Sequence, residues 1–276
     1  MQTDPIGLMD SGVGGLTVLK EVQRLLPAEN TVFLGDQARL PYGPRSVAEV
    51  TTFTRQIATY LRQHANIKLF VIACNTATAA ALTQMQAELP VPVVGVIAPG
   101  ATAAAATTAN HQIGVIATAG TVKSGQYQRD IFAADAQSQV VSVACPQLVT
   151  LAEQNDLHSG HAQAVVTQNL AAFKGTGIDT LVMGCTHFPL LQDVIQTAIG
   201  PDVKLVNPGV ATAEKVAAIL KDQDLLNVSG QPVTATYYTT GDVAEFNQLA
   251  SEWLDVKPKT VTHLAVSTLA AVAEVE

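Results

Sequence analysis

Ile6-Gly7-Leu8-Met9-Asp10-Ser11-Gly12-Val13-Gly14-Gly15-Leu16-Thr17-Val18-Leu19 begins as a short apolar run, passes through a glycine-rich turn, and continues with leucines at helical spacing. Leu16, Leu19, Val22, Leu25 and Leu26 recur at the three- and four-residue intervals of one helix face, and Pro27 stops the pattern, so a helix is expected over Gly15–Leu26. The same strand, turn and helix order repeats outward from this segment. Strands are expected at Ile6–Met9, Thr31–Leu34, Leu69–Ala73, Val93–Ile97, Gln112–Ala117, Gln139–Ala144, Thr180–Met183, Lys204–Val206 and Thr234–Tyr238, with further helices at Val47–His64 and Ala77–Glu88. Short β-rich runs alternating with longer helical ones describe βαβ units that feed a mostly parallel sheet.

Two proline- and glycine-marked points divide the pattern. Pro92 and Pro99-Gly100 bracket one strand, and Asn207-Pro208-Gly209 makes a second crossing. After residue 208 one long helix, a polar stretch and one strand are too little for an independent core, so this part should return to the N-terminal portion. The expectation is an α/β protein of two similar domains with mostly parallel sheets facing a central cleft: residues 1–98 plus 208–276 as a discontinuous first domain, and 99–207 as the second. An internal echo supports two halves. Val71-Ile72-Ala73-Cys74-Asn75-Thr76 and Val182-Met183-Gly184-Cys185-Thr186-His187 each run from apolar strand through a small residue to a cysteine and then polar side chains. Both cysteines fall at the carboxyl end of a strand, where open α/β sheets bind ligands.

Composition excludes several classes. Fifteen basic against twenty-three acidic residues give a net charge of −8, which repels nucleic acid and anionic membranes, and no local basic patch offsets it. No stretch approaches the roughly 18 uninterrupted apolar residues of a membrane helix, so the positive mean hydropathy reflects buried Ala and Val. Met1-Gln2-Thr3-Asp4-Pro5 enters the first strand without a basic leader or cleavage site, and the expectation is a cytoplasmic protein. Cys74, Cys145 and Cys185 are odd in number and widely spaced, which fits free thiols in a reducing compartment.

A lone cysteine at a strand end usually packs as a small hydrophobe. Two in one local context, each followed by polar groups (Asn75 and Thr76, Thr186 and His187), point to a ligand, because polar groups packed behind a buried strand are costly unless something occupies them. The loop from Asp10 to Gly15 opens a helix, so its backbone N–H groups can meet an anion. A dinucleotide fingerprint fails there, since Thr17 stands where glycine is needed, and Asp10 would repel a phosphate. A small zwitterion fits better, its carboxylate toward N–H and hydroxyl groups and its ammonium toward Asp10; the competing reading is that Asp10 or Ser11 merely caps the helix. Pro41-Tyr42-Gly43-Pro44 is a turn. His187, two residues after Cys185, suits proton handling, whereas Glu153 could equally lie on a solvated helix face. No histidine shows metal-ligand spacing, so no metal is expected.

These segments together resemble the glutamate racemases. The resemblance rests on residues 7–18, on Leu40-Pro41-Tyr42-Gly43, on Ala73-Cys74-Asn75-Thr76-Ala77-Thr78-Ala79 and on Gly184-Cys185-Thr186-His187-Phe188-Pro189-Leu190-Leu191, in family order. Gly95-Val96-Ile97-Ala98-Pro99-Gly100 and Gly114-Val115-Ile116-Ala117-Thr118-Ala119-Gly120-Thr121-Val122 join them, so that coverage runs from about residue 6 to 215. The resemblance implies two α/β domains around a buried cleft, a homodimer, no cofactor, and interconversion of L- and D-glutamate for peptidoglycan. It matches Cys74 and Cys185 to a catalytic thiol pair, the first serving D-glutamate and the second L-glutamate. Asp10, Ser11, Tyr42, Gly43, Asn75, Thr76, Thr186 and His187 match substrate-binding segments, with Thr118 and Thr121 further candidates. Asp10, His187 and Glu153 are the groups expected to tune the thiols. Asn207 stands where an aspartate is frequent and receives no role.

Removing the Cα proton from one face and returning one to the other needs either one base that moves or two that do not, and two opposed thiols satisfy the second arrangement. Two alternatives remain open from sequence: an aspartate or other amino-acid racemase with the same thiol pair, and a non-catalytic two-lobed amino-acid-binding protein. The short lead-in before the first strand also sets an expectation that a cell-wall precursor does not activate the protein.

Overall fold

A computed structural model of the chain describes residues 1–254, 258 and 260–273. Among these residues ten strands form two sheets in which every pairing is parallel. The strands are β1 (Ile6–Asp10), β2 (Thr31–Gly35), β3 (Leu69–Ile72), β4 (Val93–Gly95), β5 (Gln112–Ala117), β6 (Gln139–Ala144), β7 (Thr180–Gly184), β8 (Lys204–Val206), β9 (Ala235–Thr239) and β10 (Val261–His263). The first sheet has the order β10-β9-β2-β1-β3-β4 and the second β6-β5-β7-β8. Parallel strands need crossovers. The helices are α1 (Leu16–Leu25), α2 (Val47–Ala65), α3 (Asn75–Glu88), α4 (Ile97–Thr107), α5 (Ala119–Ser124), α6 (Gln126–Ala134), α7 (Pro146–Glu153), α8 (Gly160–Leu170), α9 (Gln192–Ile199), α10 (Pro208–Asp222), α11 (Val243–Trp253) and α12 (Val266–Ala273); α4 and α10 pass between the sheets, α12 follows β10, and the others lie in the crossovers.

The central strands are buried on both faces, and their side chains divide with a period of two. Leu69 and Val71 join Ile6, Leu8 and Phe33 in a core beneath α1, α10 and α11; Phe70 and Ile72 join Met9, Val32 and Leu34 in another beneath α2, α3 and α12. The second sheet repeats the arrangement, with Ile116, Leu181 and Met183 on one face and Ile113, Val115 and Val182 on the other. In α2 the start is fixed by a capping box: the Glu49 N–H donates to Ser46 Oγ, and the Glu49 carboxylate accepts from the Ser46 N–H.

Several boundaries differ from the sequence reading. The strand expected over Val93–Ile97 ends at Gly95, and Pro99-Gly100 sits in the first turn of α4 instead of marking a connection. Proline is tolerated there because first-turn N–H groups have no intrahelical acceptor. From residue 208 onward the described residues form three helices and two strands, against an expectation of one of each; β9 and β10 extend the first sheet beside β2. Strand β10 is three residues long and two of its residues are exposed, which leaves almost no alternation to detect.

Candidate active site

A cavity of about 330 Å³ opens at the carboxyl ends of β1, β3, β5 and β7, lined from both sheets. Its size suits a small molecule. Both Cys74 and Cys185 face it, each more than nine-tenths buried.

Cys74 follows β3 and is the N-cap of α3. Its backbone is extended, and Sγ accepts from the Ala77 N–H at 3.4 Å and lies 3.7 Å from Ser11 Oγ. Burial pushes this thiol up to about 12, and the neighbouring Asp10 charge acts in the same direction. The N–H groups at the start of α3 work the other way, favouring thiolate. Cys185 follows β7. Its Sγ is 3.6 Å from His187 Nδ1 and is also approached by the His187 backbone N–H. Burial raises this thiol too; the His187 N–H opposes the shift, while charge at Cys74, Asp10 and Glu153 adds to it. Burial thus favours the neutral thiol form of both sulfurs.

Asp10 lies behind this layer, fully buried and outside the cavity wall. The glycine-rich loop wraps it: Oδ2 accepts from the Gly12 N–H at 3.2 Å, the N–H groups of Gly15, Gly12 and Ser11 lower its pKa, and burial raises it by more. The anion served by the loop is thus the carboxylate of Asp10 itself. Nor does Asp10 or Ser11 cap α1, whose cap is Gly15 with no side-chain bond; the amides of Leu16, Thr17 and Val18 return to the carbonyls of Val13, Gly14 and Gly15. Among the described residues Asp10 Oδ1 has no hydrogen-bond partner, and the side chain reaches toward Cys74. Gly14 has a second duty. A Cβ there would lie 2.5 Å from Thr186 Oγ1 and 2.7 Å from His187 Cε1, so its absence lets the Cys185 loop approach the first sheet, where Thr17 Oγ1 also donates to the Thr186 carbonyl at 2.8 Å.

Of the other residues singled out from sequence, Ser11, Tyr42, Gly43, Asn75, Thr76, Thr118, Glu153, Thr186 and His187 line the cavity; Thr121 does not. Thr121 instead supports the wall: Thr76 Oγ1 meets Thr118 Oγ1 at 2.9 Å, and Thr118 Oγ1 donates to Thr121 Oγ1 at 3.0 Å. Tyr42 is held by a hydrogen bond from its hydroxyl to Asp36, which also receives Arg39 Nε at 2.6 Å and Thr240 Oγ1 at 2.9 Å. Sequence reading missed Leu40, Pro41, Pro44, Ala119, Pro146, Val149 and Thr150 as wall residues. For α7 a signal was present: Pro146, Val149, Thr150 and Glu153 share one helix face.

His187 Nε2 is 3.5 Å from Glu153 Oε1 but makes no hydrogen bond among the described residues. Burial lowers the imidazole to about 4 and raises the Glu153 carboxyl to about 7, so the contact is not a salt bridge. Cys145 is buried away from the cavity with its thiol toward the Val143 carbonyl. Among the described residues no group of three or more His, Cys, Asp or Glu side chains could hold a metal ion.

The family model described as Asp/Glu/Hydantoin racemase matches residues 6–216, the segment that supplies every cavity-lining residue. The chain belongs to this racemase family. Within it, a glutamate racemase of Levilactobacillus brevis is 68% identical over the whole of both chains. The fold agrees as closely. A glutamate racemase isoform of Bacillus anthracis, 39% identical, superposes with a TM-score of 0.91 over 96% of this chain and 99% of that one. One from Francisella tularensis subsp. tularensis, in complex with D-glutamate, is 29% identical and gives 0.90 over 97% and 100%. This racemase is therefore an isomerase, and its two parallel sheets are those of the glutamate racemase structures.

Proposed function

We propose that this racemase interconverts L- and D-glutamate, with Cys74 and Cys185 exchanging protons with opposite faces of Cα, and that it supplies D-glutamate for peptidoglycan. One observation carries the reading: two buried thiols from different sheets line one cavity, each beside its own proton-handling neighbour, Asp10 behind Cys74 and His187 beside Cys185. A substrate carboxylate at the start of α3 meets the amides of Asn75 and Thr76, which have no intrahelical acceptor, and the α-ammonium brings positive charge to two sulfurs that burial otherwise keeps protonated. With D-glutamate bound, Cys74 passes its proton to the Asp10 carboxylate behind it, and the resulting thiolate takes the Cα proton while the Cys185 thiol gives its own to the other face. The roles reverse for L-glutamate. The hydroxyls of Thr76, Thr118 and Thr186, with Ser11 and the Tyr42–Gly43 turn, supply neutral contacts for a dicarboxylate.

The protein acts in the cytoplasm as a homodimer, with the two α/β domains divided near residues 98 and 208. Among the described residues no helix is long and apolar enough to cross a membrane.

Cys74→Ser and Cys185→Ser should each lower kcat for glutamate racemisation by about 10²–10⁴-fold, because a hydroxyl is a far weaker base than a thiolate at neutral pH. Polarimetry from each enantiomer, with aspartate alongside glutamate, measures this. Near-normal racemisation by either variant would remove the two-thiol mechanism, and faster turnover of aspartate would remove glutamate as the substrate.

A further inference from the structure

Tyr127, on α6, belongs to the second sheet's layer, and the proton transfers between the two thiols make no use of it. Its ring is 2% exposed and packs on the strand end that carries Cys185: a Cβ on Gly184 would lie 2.9 Å from Tyr127 Cε2. The hydroxyl crosses to the other half of the cavity and donates to Asn75 Oδ1 at 2.8 Å, one residue beyond Cys74. One side chain therefore touches the neighbours of both thiols.

The bond fixes the direction of the Asn75 amide. A carboxamide can present either its oxygen or its NH2 group to a hydroxyl, and the surrounding hydrogen bonds decide between them. Tyr127 is neutral, since burial raises its pKa and negative charge at Cys185 would raise it further, so it always carries a proton to donate. Among the described residues Asn75 Oδ1 is its acceptor, and turning the amide over would leave that buried O–H unsatisfied. With Oδ1 committed to Tyr127, Nδ2 is left to the cavity that Asn75 lines.

We infer that Tyr127 is a positioning residue for carboxylate recognition: its hydroxyl holds the Asn75 amide with Nδ2 facing the cavity, where it donates to a substrate carboxylate. This rests on the reading of the cavity as an amino-acid site. Because the bond runs from the second sheet's layer to α3, the donor is in place only when the two halves are together. A carboxylate is thereby recognised by a neutral amide whose orientation is set in advance, in a wall that has no arginine among the described residues.

Tyr127→Phe keeps the ring against Gly184 and removes only the hydroxyl. The expected result is a KM for glutamate raised about tenfold, the worth of one oriented hydrogen bond, with kcat within about threefold of the parent. Asn75→Ala should raise KM by at least as much, and the double variant no further than Asn75→Ala alone. A packing role predicts something different: a lowered melting temperature and effects that multiply in the double variant. Unchanged KM in Tyr127→Phe, or multiplying effects, overturns the inference. Calorimetric glutamate binding to Cys74→Ser/Cys185→Ser, with and without Tyr127→Phe, reads the same loss without turnover, about tenfold in Kd. Should the unmodified protein neither racemise nor bind glutamate, the substrate reading falls and the inference with it; an active parent with an unaffected Tyr127→Phe sinks the inference alone.

Discussion

Glu153 and His187 show how one environment moves two groups in opposite senses. Burial favours the neutral form of each, so the carboxyl rises from 4.5 to about 7 and the imidazole falls from 6.5 to about 4. The consequences for stability have opposite signs. Between about pH 4.5 and 7 the native Glu153 keeps a proton that the unfolded chain has lost, so its contribution decreases as pH rises. Between about pH 4 and 6.5 the unfolded His187 holds a proton the native one lacks, so its contribution increases with pH. Over their shared range the two trends offset each other. Glu153→Gln removes the first and leaves the second: relative to the parent, the variant should gain stability steadily from pH 5 to pH 7. Urea denaturation at several pH values measures this, and a pH-independent difference would show that Glu153 is not protonated in the native state. Glu153 is about one-third exposed, so the slope should be shallower than a fully buried carboxyl would give.

At the scale of elements, the two ends of the first sheet have separate duties. Its carboxyl end carries the cavity. At the other end, Lys68 Nζ donates to Glu29 Oε2 and to the carbonyls of Gln2 and Leu225, while Glu29 Oε1 accepts from the Asn227 N–H at 2.8 Å. Lysine and glutamate side chains are 0% and 2% exposed, so this buried pair fastens the segment after α10 to the start of β3. Lys68→Met strands the carboxylate and should cost about 3–5 kcal/mol by chemical denaturation, whereas KM for glutamate should stay within about twofold. A changed KM with unchanged stability would contradict that division. The pair was invisible in sequence because its partners lie 39 residues apart and neither belongs to a periodic pattern. The strands around it were legible, since a parallel strand buried on both faces reads as an unbroken apolar run. The helix start at Ile97 was not: β4 and α4 share the apolar sequence Val93-Val94-Gly95-Val96-Ile97, whose residues suit either element.

Across the whole molecule, the repeated cysteine segments make the thiol pair legible in the sequence alone, whereas the hydrogen bonds that join the two halves around it are not. Tyr127, Thr17 and Asp36 act through partners 52, 169 and up to 204 residues away, and spacing carries no trace of such contacts. The contacts also bear on mechanism. Cys74 stands on a helix of the first sheet and Cys185 on a loop of the second, with Thr17 bonded to Thr186 and Thr76 to Thr118 between the halves. On the proposed two-thiol mechanism neither sulfur crosses the substrate, so the proton removed from one face is not the proton returned to the other. In D2O the thiol that returns it will have exchanged with solvent beforehand. Product formed early from either enantiomer should therefore be almost wholly deuterated at Cα, while unreacted substrate gains little label. A single mobile base would instead carry the original hydrogen across and leave early product largely protiated. Mass spectrometry of both enantiomers at low conversion distinguishes the two, and protium retained in product from both directions would count against opposed thiols even if each cysteine proved essential.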